Sequence, residues 1–96
     1  MLFRSRRRAA VASARTVLEH ELTEAGIRVL PSQANFSLIE LGRPDGPVYE
    51  ALLQRGVLLR PGTDFALPGY ARITIAPEAT MRRAAREIID VLTHGA

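Results

Sequence analysis

Three stretches of the chain repeat apolar residues every three or four positions, the pattern of a helix with one buried face. The first covers residues 6–25 and is followed by Gly26, a residue that commonly ends helices. The second covers residues 48–55 after Pro47, and the third begins at Pro77. The apolar positions are Val11, Ala14, Leu18, Leu22 and Ala25, then Val48, Ala51 and Leu52, then Met81, Ala85, Ile88 and Leu92. The pattern predicts three helices that each need a surface to pack against.

Four shorter segments, residues 27–30, 34–41, 57–60 and 70–76, have the alternation or the short apolar run of β-strands. The predicted order is helix, strand, strand, helix, strand, strand, helix. The natural way to bury three helical stripes is a small sheet with helices on one face. We therefore predict an α/β fold, more exactly an α+β two-layer sandwich, in one domain over residues 1–96.

Composition narrows the class of protein. With 47% hydrophobic and 24% charged residues, the chain has the balance of a globular protein. It has no cysteine for disulfides or thiolate metal sites, and no apolar run near the roughly 20 residues that span a bilayer. His20 and His94 fall on separate helices without a second ligand at metal-binding spacing. We expect a cytoplasmic protein without a membrane partner or a bound metal.

All thirteen basic residues are arginine, and the formal net charge is +3. Arg6, Arg7 and Arg8 form a cluster at the start of the first helix, so one hypothesis is an arginine-rich nucleic-acid binder. The aromatic residues do not interleave with basic ones as on an RNA-binding sheet, which makes nucleic acid a less favoured partner.

Arg72 is the main candidate for binding chemistry. Strand alternation places Tyr70, Arg72 and Thr74 on one face, opposite the apolar Ile73 and Ile75. A planar guanidinium can hold a carboxylate through two parallel hydrogen bonds, although a strand arginine can equally pair with a surface acid. A stand-alone module that binds a small anion or an amino acid is therefore a second hypothesis.

Three motifs carry a resemblance to a known family. Residues 31–36 read Pro-Ser-Gln-Ala-Asn-Phe, residues 57–60 read Val-Leu-Leu-Arg, and residues 69–75 read Gly-Tyr-Ala-Arg-Ile-Thr-Ile. Their order and spacing resemble the C-terminal small domain of fold-type I (class I/II) aminotransferases, enzymes that depend on pyridoxal phosphate. The histidinol-phosphate aminotransferase-like members are the most similar. The chain departs from them at Pro61, where an acidic residue is often found, and at residues 76–77, where Gly-Thr is usual.

The resemblance implies roles for three residues. Arg72 would bind the α-carboxylate of an amino-acid or 2-oxo-acid substrate, Arg60 would hold a phosphate or side-chain anion, and Asn35 would lie beside the cleft. The substrate first suggested is histidinol phosphate, in histidine biosynthesis, followed by an aromatic amino acid. The intact enzymes of the family are homodimers.

The absence of lysine limits what this chain can do in that family. Those enzymes hold pyridoxal phosphate as a Schiff base on a lysine amine, a role that arginine cannot fill. The cofactor lysine and most cofactor contacts belong to a large domain that these residues do not contain. We therefore expect residues 1–96 to be the C-terminal small domain of an aminotransferase, with substrate-binding but no catalytic or cofactor-binding residues, and inactive alone.

Overall fold

The computed structural model describes residues 2–30 and 35–94, and its element order confirms the predicted one. The helices are α1 (Leu2–Glu24), α2 (Asp45–Gln54) and α3 (Glu78–His94). The strands are β1 (Val29–Leu30), β2 (Phe36–Glu40), β3 (Arg60–Pro61) and β4 (Tyr70–Thr74). A short 3₁₀ helix, Gly62–Phe65, lies in the loop between β3 and β4. In this described part of the chain, no helix is both long and apolar enough to cross a membrane.

The four strands form one antiparallel sheet in the order β1-β2-β4-β3. Residues paired across neighbouring strands share a face of the sheet. Leu30 pairs with Leu38, Leu38 with Arg72, and Arg72 with Arg60, so these four residues form one row across all four strands. The register therefore fixes the positions of both candidate arginines relative to each other.

The helices pack on the opposite face of the sheet, where the hydrophobic core lies. Leu18 and Leu22 of α1, Leu52 of α2, Ile88 of α3 and Ile39 of β2 have no solvent exposure. The fold class, a small sheet with helices on one face, is thus confirmed.

The face that carries the arginine row is much less covered. Leu38, Tyr70 and Arg72 are only half-buried there, whereas Ala71 and Ile73 of the same strand β4 are buried on the helical side. The alternation predicted for residues 70–75 is therefore the observed one. We call the less covered side the open face.

Most element boundaries differ from the prediction by one to four residues, and two of the differences have a clear physical reason. Helix α2 begins at Asp45, two residues before Pro47, because the first-turn amides of a helix need no intrahelical acceptor and Pro47 is tolerated there. The predicted strand over residues 57–60 pairs only at Arg60 and continues to Pro61. The Val57 amide instead donates to the Leu52 carbonyl at 2.9 Å, which holds this segment against the end of α2.

Candidate functional site

The open face places two arginines directly opposite each other. Arg60 of β3 and Arg72 of β4 are cross-strand partners, and such pairs have Cβ atoms about 5 Å apart. Among the carboxylates in residues 8–30 and 35–94, none forms an ion pair with either guanidinium. Like charges placed opposite each other in a sheet repel. An anion bound between the two side chains would relieve that repulsion.

Two aromatic rings hold the Arg72 side chain in place. Its Cζ atom lies 5.2 Å from the centre of the Phe36 ring and 5.6 Å from the centre of the Phe65 ring. Cation–π attraction at these distances fixes a guanidinium by its faces. The N–H groups at its edge stay available, and these are the groups that bind carboxylate or phosphate oxygens.

A cavity of about 490 Å³ opens beside the arginine pair, where residues 56–59 diverge from β4. Its charged lining residues are Arg60, Arg72 and Arg83, and none of the acidic residues that the structure describes lines it. Arg83 of α3 also donates a hydrogen bond to the Arg55 carbonyl. A cavity lined by three cations and no carboxylate suits an anionic ligand.

Glu40, an acidic residue on the open face, already has partners. Tyr70 donates its hydroxyl to Glu40 Oε1 at 3.1 Å, and this bond raises the pKa of the tyrosine. Glu40 Oε2 also lies 4.0 Å from Arg28 Nη1. Glu40 is thus engaged by Tyr70 and Arg28, two residues along β2 from the row that contains Arg72.

Asp45 anchors the loop that follows β3, a role that the sequence pattern does not indicate. Its carboxylate is only 3% exposed and accepts hydrogen bonds from the Thr63 amide at 3.0 Å, the Thr63 hydroxyl at 2.9 Å and the Gly69 amide at 2.9 Å. These donors, first the Gly69 amide and then the Thr63 amide, lower the pKa of Asp45 from 3.8 to about 2. The partners are 18 and 24 residues away in the chain, so no local pattern identifies them.

The depressed pKa of Asp45 makes its contribution to stability depend on pH. Because its pKa is lower in the folded chain than in the unfolded chain, that contribution is fully present above about pH 4 and is lost as the pH falls through about 2. We expect Asp45→Asn to lower the free energy of unfolding at neutral pH, by an amount that shrinks between about pH 4 and 2. Urea unfolding of both proteins at each pH measures this, and a difference that stayed constant across that range would contradict it.

The structure brings Arg60 and Arg72 together but does not bring Asn35 to them. Asn35 is exposed just before β2, and its carbonyl accepts a hydrogen bond from the Ile75 amide at 2.8 Å. It lies three residues before Leu38, the cross-strand partner of Arg72, which is about 10 Å along the strand. Residues 31–34 of the motif before it lie outside the described residues.

In the part of the chain that the structure describes, no three His, Cys, Asp or Glu residues are grouped to hold a metal ion.

Comparisons with known proteins agree on one family. The sequence model for "Aminotransferase class I and II" matches residues 3–88. Histidinol-phosphate aminotransferase of Symbiobacterium thermophilum is 37% identical over 90 residues, which cover 94% of this chain and 25% of that enzyme. Histidinol-phosphate aminotransferase 2 of Pasteurella multocida is 40% identical over 67 residues, covering 69% of this chain and 18% of the enzyme.

Solved structures give the same result for the fold. Aspartate aminotransferase from Thermus thermophilus, solved with maleate, superposes with a TM-score of 0.83 at 30% identity, over 94% of this chain and 25% of that one. The chain spans a quarter or less of the length of these relatives. By its sequence and its fold, it belongs to the class I and II aminotransferase family.

Proposed function

We propose that residues 1–96 are the C-terminal small domain of a pyridoxal-phosphate-dependent aminotransferase, most like histidinol-phosphate aminotransferase, and that they supply its substrate-anion site. The observation that carries the proposal is the Arg60–Arg72 pair, opposed in register on the open face without a carboxylate partner among the described residues. Like charges directly opposite each other are destabilising, and a bound anion would offset that repulsion.

The two arginines have different surroundings and therefore different tasks. Arg72, held between Phe36 and Phe65, presents a fixed planar fork that suits the α-carboxylate of an amino or 2-oxo acid. Arg60 is exposed at the edge of the sheet and is free to reach a second anion, such as a phosphate or a side-chain carboxylate. By the family resemblance, Asn35 would border the substrate cleft at the entry to β2, about 10 Å along the strand from the row that contains Arg72.

The chain's own residues do not fit covalent binding of the cofactor, because the sequence contains no lysine. Pyridoxal phosphate, bound to a lysine of another domain, would supply the electron sink for amino-group transfer. The role of this chain would be to bind and orient the substrate anion, so we expect no transamination from it alone. In the intact enzyme its open face would meet the large domain, within a homodimer.

Histidinol phosphate is the substrate that we favour. Two of the relatives, at 37% and 40% identity, are named histidinol-phosphate aminotransferases. Histidinol phosphate carries a phosphate ester and no carboxylate, so its phosphate would lie at the arginine pair, between Arg60 and Arg72, and its protonated amino group would point away from both guanidiniums. An aromatic amino acid is the second choice, since the half-buried Phe36 and Phe65 line the same face.

Calorimetric titration of the chain with maleate tests the proposal, with acetate as a ligand that has one carboxylate. Arg60→Gln should weaken maleate binding about 10-fold, the value of one charged hydrogen bond, and leave acetate binding nearly unchanged. Arg86→Gln, an exposed arginine of α3 that does not line the cavity, is the matched control and should change neither. Equal loss of both ligands in Arg60→Gln would argue against a second anion subsite at Arg60.

A further inference from the structure

We propose that Asp45 is a positioning residue for Arg72: it fixes the loop of residues 62–69 so that Phe65 lies on the guanidinium. The inference rests on the proposed function, because Arg72 is the residue being positioned. Asp45 itself touches neither the arginine pair nor the cavity beside it.

The carboxylate of Asp45 accepts hydrogen bonds from this loop near both of its ends. Oδ2 accepts from the Thr63 amide, while Oδ1 accepts from the Thr63 hydroxyl and the Gly69 amide. Phe65 lies between these two attachment points in the chain. Asp45 is itself held in position, because Val48 and Leu52 of the same helix are fully buried in the core.

The loop between the attachment points is bonded to itself. The Gly62 carbonyl accepts from the Leu67 amide at 2.8 Å and also from the Ala66 amide. The Tyr70 amide donates to the Leu67 carbonyl at 3.2 Å. A segment with these internal bonds moves largely as one unit, so holding its two ends also determines where Phe65 points.

The position of Phe65 decides how firmly Arg72 is held. Its ring is one of two aromatic surfaces on the guanidinium, and the other comes from Phe36. With the loop released, one ring face is lost and the long arginine side chain gains rotamers that anion binding must remove again. The expected consequence is weaker anion binding with the arginine itself intact.

Asp45→Asn tests this, since an amide offers one acceptor oxygen where the carboxylate uses two. In ligand-free chain labelled with ¹⁵N, we expect the Arg72 Nε–H resonance to move toward its position in Phe65→Leu, because a ring current is lost in both. The dissociation constant for maleate should rise about 3- to 10-fold. Asp64→Asn removes an exposed carboxylate from the same loop and should change neither reading.

The double variant separates positioning from general loosening of the fold. If Asp45 acts through Phe65, adding Asp45→Asn to Phe65→Leu should raise the dissociation constant for maleate almost no further. If the two residues act independently, the two fold-changes in the dissociation constant would multiply. Multiplying effects, or an unmoved Arg72 resonance in Asp45→Asn, would overturn the proposal. Should Asp45→Asn fail to fold, Thr63→Val removes only the hydroxyl bond and should move the same resonance less, in the same direction. If the unaltered chain binds no maleate, the proposed function fails, but the ligand-free resonance still decides the role of Asp45.

Discussion

Arg72→Gln should raise the dissociation constant for maleate by about 100-fold while leaving the chain folded. A guanidinium holds a carboxylate through two charged hydrogen bonds, each worth about 1.5–3 kcal/mol, and glutamine replaces neither charge nor fork. The effect should exceed that of Arg60→Gln, because Phe36 and Phe65 hold Arg72 in advance and Arg60 is exposed.

Stability should change little in the same variant. The substitution removes cation–π attraction, worth about 0.5–1 kcal/mol at each ring, but also removes the repulsion from Arg60 opposite. We expect the free energy of unfolding to stay within about 1 kcal/mol of the original. Arg72→Lys keeps the charge without the planar fork and should recover only part of the binding. Maleate affinity unchanged by Arg72→Gln would refute the assignment of Arg72.

Gly62→Ala should destabilise the chain by about 2–4 kcal/mol, the largest effect that we expect from a single methyl group. A Cβ atom at Gly62 would lie 1.8 Å from the Leu67 carbonyl oxygen and 2.7 Å from the Tyr70 carbonyl oxygen. Both contacts are backbone atoms, one in the bonded loop and one at the start of β4, so the loop must change shape to admit the methyl group. The attachment of Thr63 and Gly69 to Asp45 would be disturbed with it.

Gly46→Ala is the matched control for this change. A Cβ there meets nothing within 4 Å, and the residue lies in helix α2. Alanine loses less conformational freedom than glycine on folding, so stability should be equal or higher by up to about 1 kcal/mol. Urea unfolding compares the two variants, and equal midpoints for Gly62→Ala and the original chain would show that the loop is not closed as described.

The sequence predicted the parts of this structure that depend on local periodicity. Alternation along residues 70–75 put Arg72 on the face away from Ile73, because side chains of a strand point to opposite faces in turn. The apolar run of residues 57–60 predicts a strand. Val57 and Leu59 are indeed buried, but they do not pair with β4, since an apolar pattern encodes burial and not hydrogen bonding.

The features that the sequence did not predict depend on contacts between distant residues. Asp45 stands in a segment rich in glycine and proline, where an aspartate is expected for turn formation alone. Its attachment to Thr63 and Gly69 becomes visible only when the fold brings α2 beside the loop. The packing of Phe65 on Arg72 has the same origin, since neither residue's neighbours in sequence indicate the other.

The most direct test of the central claim, that the open-face arginine pair is an anion site, is to map maleate binding on the ¹⁵N-labelled chain by NMR. We expect saturable shifts centred on the Nε–H groups of Arg60 and Arg72 and on the amides of their neighbours in β3 and β4. Shifts centred instead on the arginines of α1, or spread evenly over the surface without saturation, would contradict the claim.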